Sequence, residues 1–198
     1  MLEELHVPSP LEIGGKRAKT VAEWENIRPL VLKTMLECEY GYLPEEPEKV
    51  EFSVIDSECG RFCGGKANYL TLEATCTVYG EKFVFPFSYV YPTKGDKFKT
   101  FVVINFRPEI PDRYIPTEEI IDNGFACASF CYKDITSDDG DFTNGLAGLI
   151  YKDSERSSYS PGKIAMWAWA AMRIMDFLQT RDEVDKENIC VAGHSRLG

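Results

Sequence analysis

Two stretches of this 198-residue chain, Phe101 to Phe106 and Phe125 to Cys131, are apolar almost residue after residue, where a strand with one wet face would alternate. A strand can be apolar on both faces only if both are covered. A parallel sheet with helices on its two sides meets that condition. A third run, Ile189 to Ala192, reads as a buried strand and leads into Gly193-His194-Ser195-Arg196-Leu197-Gly198. Between the runs the pattern predicts a short helix over Thr117 to Asn123, capped by Thr117 and ended by Gly124. A long polar segment from Lys133 to Ser160 follows, with a helical turn around Leu146 to Ile150. Ser160 and Pro161 then start an apolar helix over Gly162 to Leu178, whose Trp167, Trp169, Met172 and Met175 are assigned to the core.

Upstream the period is two. Val50 to Ile55, Tyr69 to Tyr79 and Lys82 to Tyr91 read as antiparallel strands, the last two joined at Gly80-Glu81. Pro86 places the third of these at an edge or a bulge. A helical lead-in occupies about 1–44. Thr20 and Glu23 have capping-box spacing, Trp24, Ile27, Val31, Leu32 and Met35 keep a helical period, Pro29 delays the regular helix, and Gly41 closes it. The whole is an α/β chain: antiparallel strands, then strand, helix, strand, long loop, helix, strand and a sharp turn.

That turn carries the chemistry. A serine between small residues at the end of an apolar strand is the pattern of a nucleophile elbow, which pushes a hydroxyl out of the backbone. Gly193 and Gly198 leave space for it to pack. Ser195 is the candidate nucleophile. The N–H after a nucleophile is the usual first donor to a developing oxyanion, and Arg196 supplies that N–H together with a guanidinium. A second N–H is expected from Phe106 or Arg107, because Pro108 has none.

The net charge of −10 offers no basic surface for nucleic acid or anionic lipid. The segment Met1 to Pro10 lacks the cationic start and apolar run of a signal peptide, and Ile164 to Met172 is too short to span a bilayer. No nucleic-acid or membrane partner is expected, and the location is expected to be cytoplasmic. Seven cysteines, an odd number without a C-x-x-C pair, read as reduced, mostly buried thiols. Cys59 and Cys63 lie in a Gly-rich turn with no nearby histidine and read as loop residues, and Cys127 and Cys131 as packing. Asp138, Asp139 and Asp141 read as a solvated loop rather than as triad or metal groups. No cofactor and no metal enter the reading.

With the elbow placed, the chain resembles the α/β-hydrolase superfamily, and within it carbohydrate esterases of the glucuronoyl esterase and acetylxylan esterase type. Trp24, Arg28, Glu37 and Tyr40-Gly41-x-x-Pro44 look like their N-terminal helix and its exit. Asn105 to Pro108 sits where their oxyanion loop begins, and Gly193 to Gly198 is similar to their G-x-S-R-x-G elbow. The resemblance implies Ser195 as nucleophile, Arg196 as oxyanion stabiliser, and a small-molecule or carbohydrate ester as substrate.

Serine needs a base, and only His6 and His194 are present. His194 adjoins the nucleophile, where the turn directs side chains away, and His6 lies in a loose tail. In this superfamily the order is serine, acid, histidine, so both partners are expected after residue 198. Residues 1–198 are therefore expected to form a single incomplete domain, the N-terminal half of an α/β-hydrolase fold truncated after the elbow. On its own it is expected to be inactive. The competing classes are a non-catalytic acidic binding domain on the same fold and a serine peptidase of the same superfamily.

Overall fold

The structure, a computed structural model, describes residues 9–152 and 155–198, so His6 lies outside the described residues. Strands β1 (Lys49–Arg61), β2 (Ala67–Val78), β3 (Glu81–Pro92), β4 (Phe98–Asn105), β5 (Ala126–Cys131) and β6 (Val184–Gly193) form one sheet in the order β1-β2-β3-β5-β4-β6. The first three form an antiparallel meander and β3 meets β5 antiparallel, whereas β5, β4 and β6 run parallel. Among the helices are α1 (Val21–Met35), α2 (Thr117–Asp122), α3 (Gly145–Ile150) and α4 (Lys163–Gln179).

The parallel part follows from the near-continuous apolar runs. On β4, Val102 and Ile104 face the core under α4, while Phe101 and Val103 pack with Ile121 of α2 on the other face. From β4 the chain crosses to β5 on one side, and from β5 it returns past β4 to β6 on the other. Right-handed crossovers taken in opposite directions put α2 and α4 on opposite faces. Trp167, Trp169 and Phe177 of α4 fill the larger core, with Phe177 edge-on to Phe87 and Tyr89 at 5.1 and 5.6 Å. The run expected to form a buried strand is instead largely open: the outer edge of β6 has no partner strand among the described residues, Cys190 is exposed and Val191 is 59% exposed. No described helix is long and apolar enough to cross a membrane.

The lead-in docks on α4 rather than standing apart. The Trp169 indole N–H donates to the Glu45 carbonyl at 2.9 Å, and the Gly162 N–H donates to the Tyr40 carbonyl at 2.9 Å. Gly41, at φ 74°, passes so close to Ser160 that a Cβ would sit 2.0 Å from its carbonyl oxygen. The Tyr-Gly-x-x-Pro signature is thus a seat for the start of α4.

Three local expectations are corrected and a fourth is met only locally. Helix α1 starts at its Thr20–Glu23 capping box but runs straight through Pro29, whose fixed φ is already helical and which removes only one N–H from the ladder. Strand β3 is interior to the sheet order and has no bulge at Pro86, but at the proline itself it is locally an edge, as expected. It pairs with β2 along its length, but β5 reaches it only from Ser88 to Val90, so the proline has a neighbour on one side alone. The hairpin turns at Tyr79-Gly80, with φ of 54° and 72°, because Val78 pairs with Glu81 and a two-residue I′ turn matches the strand twist. Thr117 is the first residue of α2, not its cap; its buried hydroxyl donates to the Ile115 carbonyl at 3.3 Å.

All seven cysteines are free thiols, but not mostly buried as expected: only Cys76, Cys127 and Cys131 are, and burial pushes Cys76 up to about 11 and Cys127 up to about 12. Native alkylation of residues 1–198 with iodoacetamide at about pH 8 should therefore modify the exposed Cys38, Cys59 and Cys190 and spare Cys76 and Cys127 until the chain is unfolded. Peptide mapping by mass spectrometry reads the pattern. Equal labelling of Cys127 would contradict the two-sided cover of β5.

Candidate active site

Strand β6 ends at Gly193, and the chain reverses within five residues into a single helical turn, Ser195–Leu197. Ser195 sits at φ 59°, left-handed backbone that a non-glycine residue adopts only under constraint. The constraint is the approach of the turn to its own strand. A Cβ at Gly193 would lie 1.8 Å from the Leu197 carbonyl oxygen, and one at Gly198 would lie 2.8 Å from the Gly193 oxygen. Leu197 is buried in the core below, which anchors the turn from inside. Ser195 is exposed, and no hydrogen bond among the described residues engages its hydroxyl. With Arg196, Leu36, Tyr40 and Ile164 it lines a groove of about 500 Å³ between the lead-in and the start of α4.

His194 points elsewhere, as expected. Its ring stacks on Tyr114 at 5.5 Å and 29° and meets Phe106 at 6.3 Å. It lines a separate cavity of about 370 Å³ with Asn105, Phe106, Tyr114 and Ile115. The loop after β4 is therefore beside the elbow, but its two candidate donors are not equivalent. The Phe106 N–H is taken by Asn105 Oδ1 at 2.8 Å, and the buried Asn105 Nδ2 has no acceptor among the described residues. The Arg107 N–H has no partner among the described residues, and its guanidinium lies 5.9 Å from the centre of the Tyr114 ring.

The long segment after β5 is a built loop rather than a merely solvated one. Asp139 Oδ1 accepts from the Ser137 hydroxyl at 2.7 Å and the Asp141 N–H at 2.9 Å. Asp141 Oδ1 accepts from the Thr143 N–H at 2.8 Å and from the Thr143 hydroxyl at 2.6 Å. The hydroxyls of Ser137 and Thr143 hold these two carboxyls below the usual carboxylate range. Their ionised form, and the loop it organises, thus persists as pH falls and is lost only below the ordinary carboxylate pKa. Lys163, at the start of α4, donates to Thr136 Oγ1 at 3.0 Å and Ser137 Oγ at 3.3 Å, and burial pulls its ammonium below the usual lysine range. Asp138, the remaining member of the acidic run, forms an ion pair with Arg196. No group of three or more His, Cys, Asp or Glu able to hold a metal occurs among the described residues.

The structure thus gathers Ser195, Arg196 and the Phe106–Arg107 loop at the carboxyl ends of the parallel strands, and among the described residues it brings no histidine base to Ser195. Sequence reading missed Tyr114 and the Asp138–Arg196 pair. A partner 58 positions away along the chain leaves no local signature.

Residues 74–198 match the family model described as glucuronyl esterase of fungi. A 4-O-methyl-glucuronoyl methylesterase of Schizophyllum commune is 26% identical over 195 residues, covering 97% of this chain and 44% of the relative. Among solved structures, a CE15 glucuronoyl esterase from Teredinibacter turnerae superposes with a TM-score of 0.82 at 23% identity, covering 98% of this chain and 51% of that one. A glucuronoyl esterase from Solibacter usitatus gives 0.80 at 22%, covering 98% and 60%. The α/β-hydrolase-type fold is shared, and the chain spans about half the length of these proteins.

Gly193→Ala should cost at least about 2 kcal/mol, because backbone must move to admit the methyl group. Gly140→Ala, where nothing lies within 4 Å, is the control and should stay within about 0.5 kcal/mol of the parent. Urea unfolding of residues 1–198 measures both. Equal stabilities would show that the elbow is looser than described.

Proposed function

We propose, since this chain belongs to the glucuronyl esterase family, that the complete protein is a serine esterase cleaving a carboxylic ester of a uronic-acid sugar through an acyl-enzyme. The observation that carries this reading is Ser195, held at positive φ with a free hydroxyl at the carboxyl end of β6. The Schizophyllum commune relative is named a 4-O-methyl-glucuronoyl methylesterase, which supports the methyl ester of 4-O-methyl-glucuronate as substrate class. Residues 1–198 form the N-terminal part of one α/β-hydrolase domain, lead-in included. The seven free thiols support a reducing, cytoplasmic location.

In this mechanism Ser195 Oγ attacks the ester carbonyl carbon while its proton passes to a histidine. The carbonyl electrons move onto oxygen, giving a tetrahedral oxyanion. The C–O bond to the alcohol then breaks, and the alcohol leaves with the histidine's proton. Water, activated by the same histidine, repeats the sequence on the acyl-enzyme and releases the acid and Ser195. The Arg196 N–H and guanidinium stabilise the oxyanion, and the Arg107 N–H is the second backbone donor in preference to the occupied Phe106 N–H. His194, turned onto Tyr114, is not that histidine; the histidine and its acid are assigned to the part of the relatives' length that this chain does not span.

A fluorophosphonate should label the complete protein on Ser195, mapped by mass spectrometry; an adduct elsewhere overturns the assignment. Arg196→Ala should lower kcat on the order of 10² to 10³-fold with little change in KM. Residues 1–198 alone should hydrolyse p-nitrophenyl acetate only slowly, with a rate nearly flat between about pH 5 and 8, where a histidine base would titrate. A sigmoidal rise in that window, abolished by Ser195→Ala, would show that this chain completes its own site.

A further inference from the structure

We infer that Asp138 is a positioning residue for the esterase reaction: its carboxylate, presented by a pinned loop, fixes the Arg196 guanidinium beside Ser195. The inference rests on the reading of Ser195 and Arg196 above.

The loop geometry carries it. Asp138 is flanked by two residues that are tied down. On one side the Ser137 N–H donates to Asn144 Oδ1 at 2.9 Å, and the Ser137 hydroxyl receives Asn144 Nδ2 at 2.8 Å and donates to Asp139 at 2.7 Å. On the other, Asp139 accepts the Asp141 N–H at 2.9 Å and lies 4.0 Å from the Lys163 ammonium. Lys163 itself has a side chain only 9% exposed and donates to Thr136, Ser137 and the Asp141 carbonyl. Below them the Leu146 N–H closes onto the Ile135 carbonyl at 2.7 Å, and the Trp167 indole reaches the Thr136 carbonyl at 3.3 Å. The carboxylate of Asp138 is not used in this lattice. It leaves the loop and pairs with Arg196 Nη1, the two side chains being 25% and 56% exposed.

An unheld arginine of that exposure samples many rotamers, and a charge that stabilises a transition state must already be in place when the oxyanion forms. A guanidinium has five N–H donors, so the bond from Nη1 to Asp138 leaves the Nε edge and Nη2 for the substrate. A negative charge next to Arg196 also opposes the oxyanion, so the pair helps catalysis only if fixing the guanidinium outweighs partial cancellation of its charge. That balance gives the inference its measurable sign.

The test uses the complete protein and the methyl ester of 4-O-methyl-glucuronate. Asp138→Asn should lower kcat by about tenfold with KM within about twofold, and Asp138→Glu should recover part of the loss. In an Arg196→Ala background Asp138→Asn should change kcat by less than about twofold, because the carboxylate acts through the guanidinium. Raising salt from about 0.05 to 1 M should lower kcat of the parent and leave Asp138→Asn flat, since an exposed pair is screened. Multiplicative losses in the double variant, or an unchanged or raised kcat in Asp138→Asn while Arg196→Ala still loses 10² or more, overturn the positioning role and leave the esterase reading standing. If Ser195→Ala and Arg196→Ala both retain full kcat, that reading itself fails.

Discussion

The parallel ladder β5-β4-β6 is the constraint from which the rest of the molecule follows. Thr100 to Asn105 of β4 pair on one side with Ala126 to Cys131, and Thr100 to Ile104 on the other with Ile189 to Gly193. Because the strands run the same way, their carboxyl ends lie along one edge of the sheet. The loops that leave them, after Asn105, Cys131 and Gly193, are thereby brought together. Residues far apart in the chain, such as Phe106 and His194 or Asp138 and Arg196, meet because the ladder register places them there.

The elbow draws on that rigidity. A left-handed Ser195 costs of order 1–3 kcal/mol and persists only where its surroundings leave no alternative. Here the Leu197 side chain is buried from below, Gly193 is fixed by pairing with Ile104, and the two glycines let backbone pass against backbone. The strain is local and the support is the sheet. The same support reaches the far side of the groove, where the lead-in is seated on α4 through Tyr40, Gly41 and Glu45.

Sequence rules were tested where a single residue's preference competed with tertiary pairing. Pro86 keeps to its rule locally: β3 is interior to the sheet, and only because β5 is too short to reach it does the proline have a single neighbour. Pro29 breaks one helical bond, yet a capped start and a docked exit hold α1 through it. Phe106 and Arg107 are indistinguishable as donors until Asn105 folds back onto one of them. The acidic run 138–141 resembles any polar loop until two of its carboxylates are found building the loop and the third facing Arg196.

What the sequence determined by itself was the type of each main element, set by its period, and the sharp turn at the elbow. The runs Phe101 to Phe106 and Phe125 to Cys131 require strands covered on both faces, alternation gives the antiparallel meander, and Gly-x-Ser-x-x-Gly after an apolar run gives a sharp turn that exposes a serine. These signals lie within one element, so adjacent residues suffice to read them. Only the tertiary structure decided which donors are free, where His194 points and what holds Arg196. Those depend on side chains from different strands meeting at one sheet edge, and strand order and register are set by the packing of the whole sheet rather than by any stretch of chain.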